Sequence, residues 1–93
     1  MALPSDGVHA GEPIEPQSCL DLRGTPCPLN YIRAQLALET VTPGAWLQLD
    51  LDRGEPEEMV TAGLRQAGHA VEGRTHPEAA AEAVRLLVRR HAR

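Results

Sequence analysis

The sequence predicts an α/β domain in which helices cover one face of a small sheet. Residues 45–52 alternate strictly between apolar and polar side chains, which is typical of a strand with one buried face. Residues 28–40 are rich in good helix formers, and their apolar side chains recur at helical spacing. With 93 residues, the chain is long enough for one domain with one modest core.

The first half of this domain is predicted to be a strand followed by a helix. Residues 19–23 alternate and suggest a short strand, which the segment 24–26 then breaks. Pro28 favours the start of a helix over residues 28–40. The apolar side chains of that helix form two opposite stripes, and we expect the first to be buried because it runs the full length of the helix. The first stripe is Tyr31, Ala34, Leu38 and Val41, and the second is Leu29, Ile32 and Leu36.

A second strand and a second helix follow. The strand 45–52 turns Leu47, Leu49 and Leu51 to one face. An early proline and three acidic residues in the segment 55–58 favour the N-terminus of a helix. Its inner face would carry Val60, Leu64 and Ala67, with Gly68 as the C-cap. Residues 69–74 suggest a third strand, though weakly.

The C-terminal segment is ambiguous on its pattern alone. Helix propensity favours a helix over residues 78–91. Alternation instead places Val84, Leu86 and Val88 on one face of a strand, with Arg85 on the other. Both interpretations stay open at this point.

Composition excludes several classes of function. The formal charge is −4 and the two aromatic residues are Tyr31 and Trp46, so the chain lacks the basic surface and stacking platform of a nucleic-acid-binding domain. No stretch is long and apolar enough for a membrane span, and no direct contact with nucleic acid or membrane is expected.

The N-terminal region is predicted to be a disordered tail over residues 1–17, followed by a single domain over residues 18–93. No arginine or lysine precedes Arg23 and no continuous apolar run is present, so a signal peptide is not expected. Two cysteines do not make a disulfide framework. These features favour a reducing, cytoplasmic location.

Cys27 is the strongest candidate for chemistry. It lies between Pro26 and Pro28, where the first predicted strand gives way to the helix. The N–H groups and the dipole of a helix N-terminus favour a thiolate over a thiol. A thiolate is the nucleophile of sulfur exchange, and a persulfide formed on it would be stabilised in the same way. The alternative interpretation is a small apolar residue that fills the core.

Other candidate residues have simpler interpretations. An extended segment from residue 19 to 23 spans about 13 Å, so we expect Cys19 to be a strand residue without a disulfide to Cys27. His69 begins the third predicted strand and is interpreted as structural. Arg23 is interpreted as a solvated surface charge, and Asp21 is expected to pair with a neighbouring arginine. No two histidines have metal-ligand spacing, so neither a metal nor a cofactor is expected.

The segment Leu20–Asn30, which reads LDLRGTPCPLN, resembles the signature of the TusA/SirA-like sulfur carriers. In that family, a strand ending in Asp-x-x-Gly leads to Cys-Pro-x-Pro at the head of the first helix. The resemblance covers residues 19 to about 90, and Asn30 stands where the motif has its second proline. The positions that match are Asp21, Gly24, Cys27 and Pro28.

The resemblance implies a two-layer α/β sandwich of order β-α-β-α-β-β, with two helices on one face of a small mixed sheet. Residues 84–90 would then be the last strand. It also implies that Cys27 accepts sulfur as a persulfide from a cysteine desulfurase or a rhodanese and passes it to an acceptor protein, in one branch toward tRNA thiolation. Gly24 and Pro28 would orient the cysteine, and the amide of Asn30 could point at its sulfur or at solvent.

The second stripe of the first helix suggests a docking surface. If the first stripe is buried, Leu29, Ile32 and Leu36 are exposed beside Cys27, and Arg33 lies on the same helix. These residues could bind a partner protein. Two other functions remain: a non-catalytic interaction or regulatory domain, and a thiol redox protein, which the lack of a nearby second cysteine disfavours.

Overall fold

The structure, a computed structural model, describes residues 14–91. Strands and helices follow one another in the predicted order, and the β-α-β-α-β-β architecture is confirmed. The elements are β1 (Ser18–Asp21), α1 (Leu29–Glu39), β2 (Trp46–Asp52), α2 (Glu55–Gln66), β3 (Ala70–Thr75) and β4 (Ala83–Arg89).

The four strands form one mixed sheet in the order β1-β2-β4-β3. β1 runs parallel to β2, whereas β4 is antiparallel to both β2 and β3. The C-terminal segment is therefore a central strand, as the family resemblance implied, and residues 76–82 form the loop that precedes it. The backbone N–H and C=O groups of β4 form hydrogen bonds with both neighbouring strands. A helix at this position would use those groups for its own internal hydrogen bonds and could not pair with the sheet.

Both helices pack on one face of the sheet, where the core lies. Leu47, Leu49 and Leu51 of β2 are fully buried there, next to Val84, Leu86 and Val88 of β4. α1 contributes its first stripe, with Ala34, Leu38 and Val41 buried and Tyr31 partly buried. Each expectation about which face of these elements is buried is confirmed.

The end of α2 differs from the prediction at one residue. Val60 and Leu64 are buried as expected, but Ala67 is exposed because the helix ends at Gln66. Gly68 has a φ of +100°. Its N–H donates to Arg65 O at 3.0 Å, and the N–H of His69 donates to Leu64 O at 3.1 Å. These two bonds are those of a Schellman motif, so Gly68 ends the helix and turns the chain away from the core.

The opposite face of β2 carries a partly buried ion pair with β4. Asp50 accepts two hydrogen bonds from the guanidinium of Arg85, at 2.9 and 3.1 Å. Those bonds raise the pKa of Arg85. His76, in the loop before β4, is only 3 % exposed. Its Nδ1 accepts the N–H groups of Glu78 and Ala79, and its Nε2 lies 3.5 Å from Asp50 Oδ2. His76 therefore organises the loop before β4.

Contacts with the sheet begin before β1. The N–H of Gln17 donates to Trp46 O at 2.8 Å, and its side chain bonds Thr42. The predicted tail falls largely on residues 1–13, which lie outside the described range, and stays a prediction. Neither helix within residues 14–91 is long and apolar enough to cross a membrane.

Candidate functional site around Cys27

The loop before Cys27 is fixed to the end of β2. Gly24 has a φ of +79°, a conformation that glycine adopts without strain. Its N–H donates to the carboxylate of Asp52 at 2.8 Å. The N–H of Leu22 donates to Asp50 O at 2.8 Å, and the N–H of Thr25 returns to Leu22 O. The acidic end of β2 therefore positions the segment that carries the cysteine.

Cys27 is an exposed free thiol two residues before the first residue of α1. Pro28 occupies the N-cap position, and the Cys27–Pro28 peptide bond is cis. Backbone N–H groups of the first turn bond carbonyl groups: Asn30 N donates to Pro26 O, and Ile32 N donates to Pro28 O. The sequence predicts that the N–H groups of this helix end favour a thiolate, but these two are bonded to carbonyl oxygens instead.

The donor that reaches the sulfur is the side chain of Asn30. Its Nδ2 lies 3.3 Å from Cys27 Sγ. Asn30 is fully buried, although it is polar and lies in the first turn of the helix. Its Oδ1 accepts the N–H of Tyr31 at 2.6 Å, which fixes the amide with its NH₂ group toward the sulfur. Of the two predicted orientations, toward sulfur or toward solvent, the structure has the first.

An apolar cavity of about 220 Å³ opens beside Cys27, between α1 and α2. The sequence pattern places Tyr31 in the core and assigns no role to Met59 or Gly63. A glycine inside a helix is unfavourable unless close packing requires it, so Gly63 was a signal that could have been used. The lining residues are Cys27, Pro28, Asn30, Tyr31, Met59 and Gly63.

The ring of Tyr31 lines this cavity and packs closely against α2 at Gly63, which has no side chain. A Cβ atom at Gly63 would lie 2.6 Å from Cε1 of Tyr31, well inside van der Waals contact. The hydroxyl of Tyr31 donates a hydrogen bond to Gly63 O at 3.3 Å. The glycine therefore lets the two helices approach each other at the tyrosine.

The second stripe of α1 is exposed, as predicted. Leu29, Ile32 and Leu36 are 47 %, 46 % and 57 % exposed, and Met59 on α2 is 56 % exposed. Leu29 follows the cysteine by two residues, and Met59 lines its cavity. Arg33 is also exposed on α1.

The other candidate residues have contacts or positions of their own. Arg23 makes a 2.9 Å ion pair with Asp21, as expected for that aspartate, and its hydrogen bonds lower the pKa of Asp21 to about 2. Cys19 is a free thiol on β1. His69 lines a second cavity near the C-terminal end of α1, the end opposite Cys27. Within residues 14–91, no three His, Cys, Asp or Glu side chains are grouped to hold a metal ion.

Two known proteins share parts of this sequence or its fold. A "Putative sulfur carrier protein" of Archaeoglobus fulgidus is 34 % identical over 58 residues, which are 62 % of this chain and 66 % of that relative. The chain thus spans just under two thirds of the relative's length. The crystal structure of a SirA-like protein from Desulfitobacterium hafniense superposes with a TM-score of 0.64 and 17 % identity, covering 76 % of this chain and 93 % of that one.

That structural likeness concerns the fold, which it confirms as a two-helix, four-strand α/β sandwich. The broadest match is to a family model described as "Sulfurtransferase TusA", which spans residues 19–90. This range begins one residue into β1 and includes every later element, together with the Cys27 segment that carries the resemblance. The chain therefore belongs to the sulfurtransferase TusA family.

Proposed function

We propose that this protein is a sulfur carrier that accepts a sulfur atom on Cys27 as a persulfide and relays it to an acceptor protein. The observation that carries the proposal is the placement of Sγ: it belongs to an exposed, free cysteine, receives a hydrogen bond from Asn30, and borders an apolar cavity. Family membership and the description of the Archaeoglobus fulgidus relative support the same function.

The proposed reaction has two exchange steps. The Cys27 thiolate attacks the outer sulfur of a donor persulfide, which forms the Sγ–S bond and releases the donor cysteine as a thiolate. An acceptor thiolate then attacks the outer sulfur on Cys27, and Sγ leaves as a thiolate. The transferred sulfur keeps its oxidation state in both steps, so neither an external oxidant nor a cofactor is required.

The partners of this relay are proteins with reactive cysteines. The donor is a cysteine desulfurase or a rhodanese, and the acceptor is a downstream protein thiol, with tRNA thiolation as one destination of the sulfur. Because Cys19 and Cys27 are both free thiols, we place the relay in the reducing cytoplasm.

The donor docks on the exposed apolar surface beside the cysteine. We define the docking surface as Leu29, Ile32 and Leu36 of α1. It begins two residues after Cys27, and exposed apolar side chains of this kind supply the buried centre of a protein interface. Arg33 lies on the same helix and would contact the polar rim of that interface.

Intact mass measurement tests the relay directly. The full chain is incubated with a cysteine desulfurase and cysteine, and the mass gain of one sulfur atom is recorded. The gain should appear in the wild-type protein and in Cys19→Ser, and should be absent in Cys27→Ser. If the wild-type protein gains no sulfur from a desulfurase or from a rhodanese charged with thiosulfate, the carrier function is wrong and a non-catalytic interaction domain is supported.

A further inference from the structure

We infer that Asn30 is a positioning residue that directs attack to the outer sulfur of a Cys27 persulfide, an inference that rests on the proposed function. It does so by stabilising the negative charge that develops on Sγ when the sulfur atom is released. The motif that this chain resembles has proline at this position, and proline has no side-chain donor. The amide is therefore a property of this chain's own site.

The geometry holds this donor in one orientation. The side chain of Asn30 is completely buried, with Oδ1 engaged by the N–H of Tyr31 and Nδ2 at 3.3 Å from Sγ. A flipped amide would place two N–H donors against the N–H of Tyr31, which leaves a buried donor unpaired and is costly. The NH₂ group is thus fixed toward the sulfur before any reaction begins.

A persulfide offers two sulfur atoms to an attacking thiolate. Attack on the outer sulfur transfers it and releases Sγ as a thiolate, whereas attack on Sγ forms a mixed disulfide and releases hydrosulfide. The better-stabilised leaving group leaves faster. Hydrogen bonds are stronger when one partner is charged, so an amide donor at Sγ lowers the barrier for the first route and not for the second.

The test follows both products in single-cysteine proteins. The full chain carrying Cys19→Ser is loaded with glutathione persulfide, freed of reagent, mixed with glutathione and quenched with acid at early times. Mass spectrometry then measures free Cys27 and its glutathione mixed disulfide, and a sulfide assay measures the hydrosulfide released. With Asn30 present, free Cys27 should be the main early product.

Asn30→Asp is the decisive variant because it keeps the size of the side chain and an acceptor for the N–H of Tyr31. In its ionised form it replaces the donor at Sγ by a carboxylate oxygen, so release of free Cys27 should slow about fivefold to tenfold at a pH where the new carboxyl group is ionised. The share of mixed disulfide and hydrosulfide should rise correspondingly. Asn30→Pro, which installs the residue of the family motif, should shift the products in the same direction.

Gln35→Glu is the matched control, since it makes the same amide-to-carboxylate change on an exposed position of α1. It should leave the product ratio unchanged. If Asn30→Asp and Asn30→Pro lower the melting temperature but keep the wild-type ratio, Asn30 is only structural and the inference is overturned. Chemical loading needs no protein donor, so a failure of desulfurase loading would contradict the proposed function without affecting this comparison.

Discussion

The carboxylate of Asp52 helps to position the loop that carries the candidate residue Cys27. It accepts the N–H of Gly24 in the loop that leads to Cys27, although the two residues are 28 positions apart in sequence. The glycine and the acidic strand end are both visible in the sequence. Their contact is not, since it requires β1 and β2 to be paired.

His69 should make the stability of the protein depend on pH. Burial, followed by the charges of His91 and Arg90, lowers the pKa of His69 below its usual 6.5. His69 then binds a proton more tightly in the unfolded chain than in the folded protein. Its contribution to the free energy of unfolding is therefore fully present above the pKa of His69 in the unfolded chain, and is lost as the pH falls below that value. The melting temperature of the wild-type protein should therefore fall as the pH is lowered from above to below about 6.5.

His69→Asn is the comparison for that prediction. Asparagine keeps an acceptor near the position of Nδ1, which accepts the N–H of His91 at 2.9 Å, but it does not titrate. The melting temperature of this variant should depend less on pH over the same range. An equal pH dependence in both proteins would show that other groups cause it.

At the scale of elements, α1 serves two purposes with opposite faces. Its first stripe joins the core, and its second stripe stays exposed beside Cys27. The contact with α2 is made at Tyr31 and Gly63, which also line the cavity at the cysteine. Packing of the two helices and the shape of the site are therefore coupled.

Gly63→Ala should destabilise the protein by about 1 kcal/mol, because a new Cβ would collide with the ring of Tyr31. Helix propensity alone predicts the opposite sign, since alanine is favoured over glycine by about 1 kcal/mol inside a helix. In a Tyr31→Ala background the collision is removed, and Gly63→Ala should become stabilising by about that amount. Urea denaturation of the four proteins measures this cycle, and equal effects in both backgrounds would exclude the collision.

At the scale of the whole molecule, the order of the strands places the candidate site near the C-terminal ends of β1 and β2. β1 and β2 are parallel neighbours, so their C-terminal ends lie together. The loop to Cys27 leaves from that end of β1. Sites in α/β sheets commonly lie at the carboxyl ends of strands. β3 forms the opposite edge of the sheet, on the far side of β4.

The docking surface should be required for donor binding but not for folding. Replacing Leu29, Ile32 and Leu36 by serine should weaken binding to the sulfur donor about tenfold or more. The melting temperature should change little, because all three side chains are about half exposed. Isothermal titration with the donor that loads Cys27 measures the affinity.

Glu72→Ser combined with Arg74→Ser is the control for that experiment. These residues form an exposed ion pair on β3, and removing both leaves the net charge unchanged. Donor affinity should then match that of the wild-type protein. Wild-type affinity in the triple variant as well would place the donor on another surface.

Local pattern and local chemistry are enough to predict several features of this protein from its sequence alone. Alternation at Leu47, Leu49 and Leu51 identified β2 and its buried face, and helical spacing separated the two stripes of α1. The flanking prolines marked Cys27 as the candidate for chemistry. Period and propensity report directly on which side of an element is apolar. They could not choose between helix and strand for β4, where the family resemblance was needed.

Tertiary structure alone decided the contacts that join distant residues. It paired Gly24 with Asp52, placed Gly63 against Tyr31, and buried His76 beside Asp50. Each contact joins residues far apart in sequence and forms only once strands and helices have packed, so no local periodicity encodes it. The Asn30 amide differs from these contacts because its partner is close in sequence, but its orientation also depends on how the chain is packed. Asn30 is three residues from Cys27, yet its direction was open until burial and the N–H of Tyr31 fixed it.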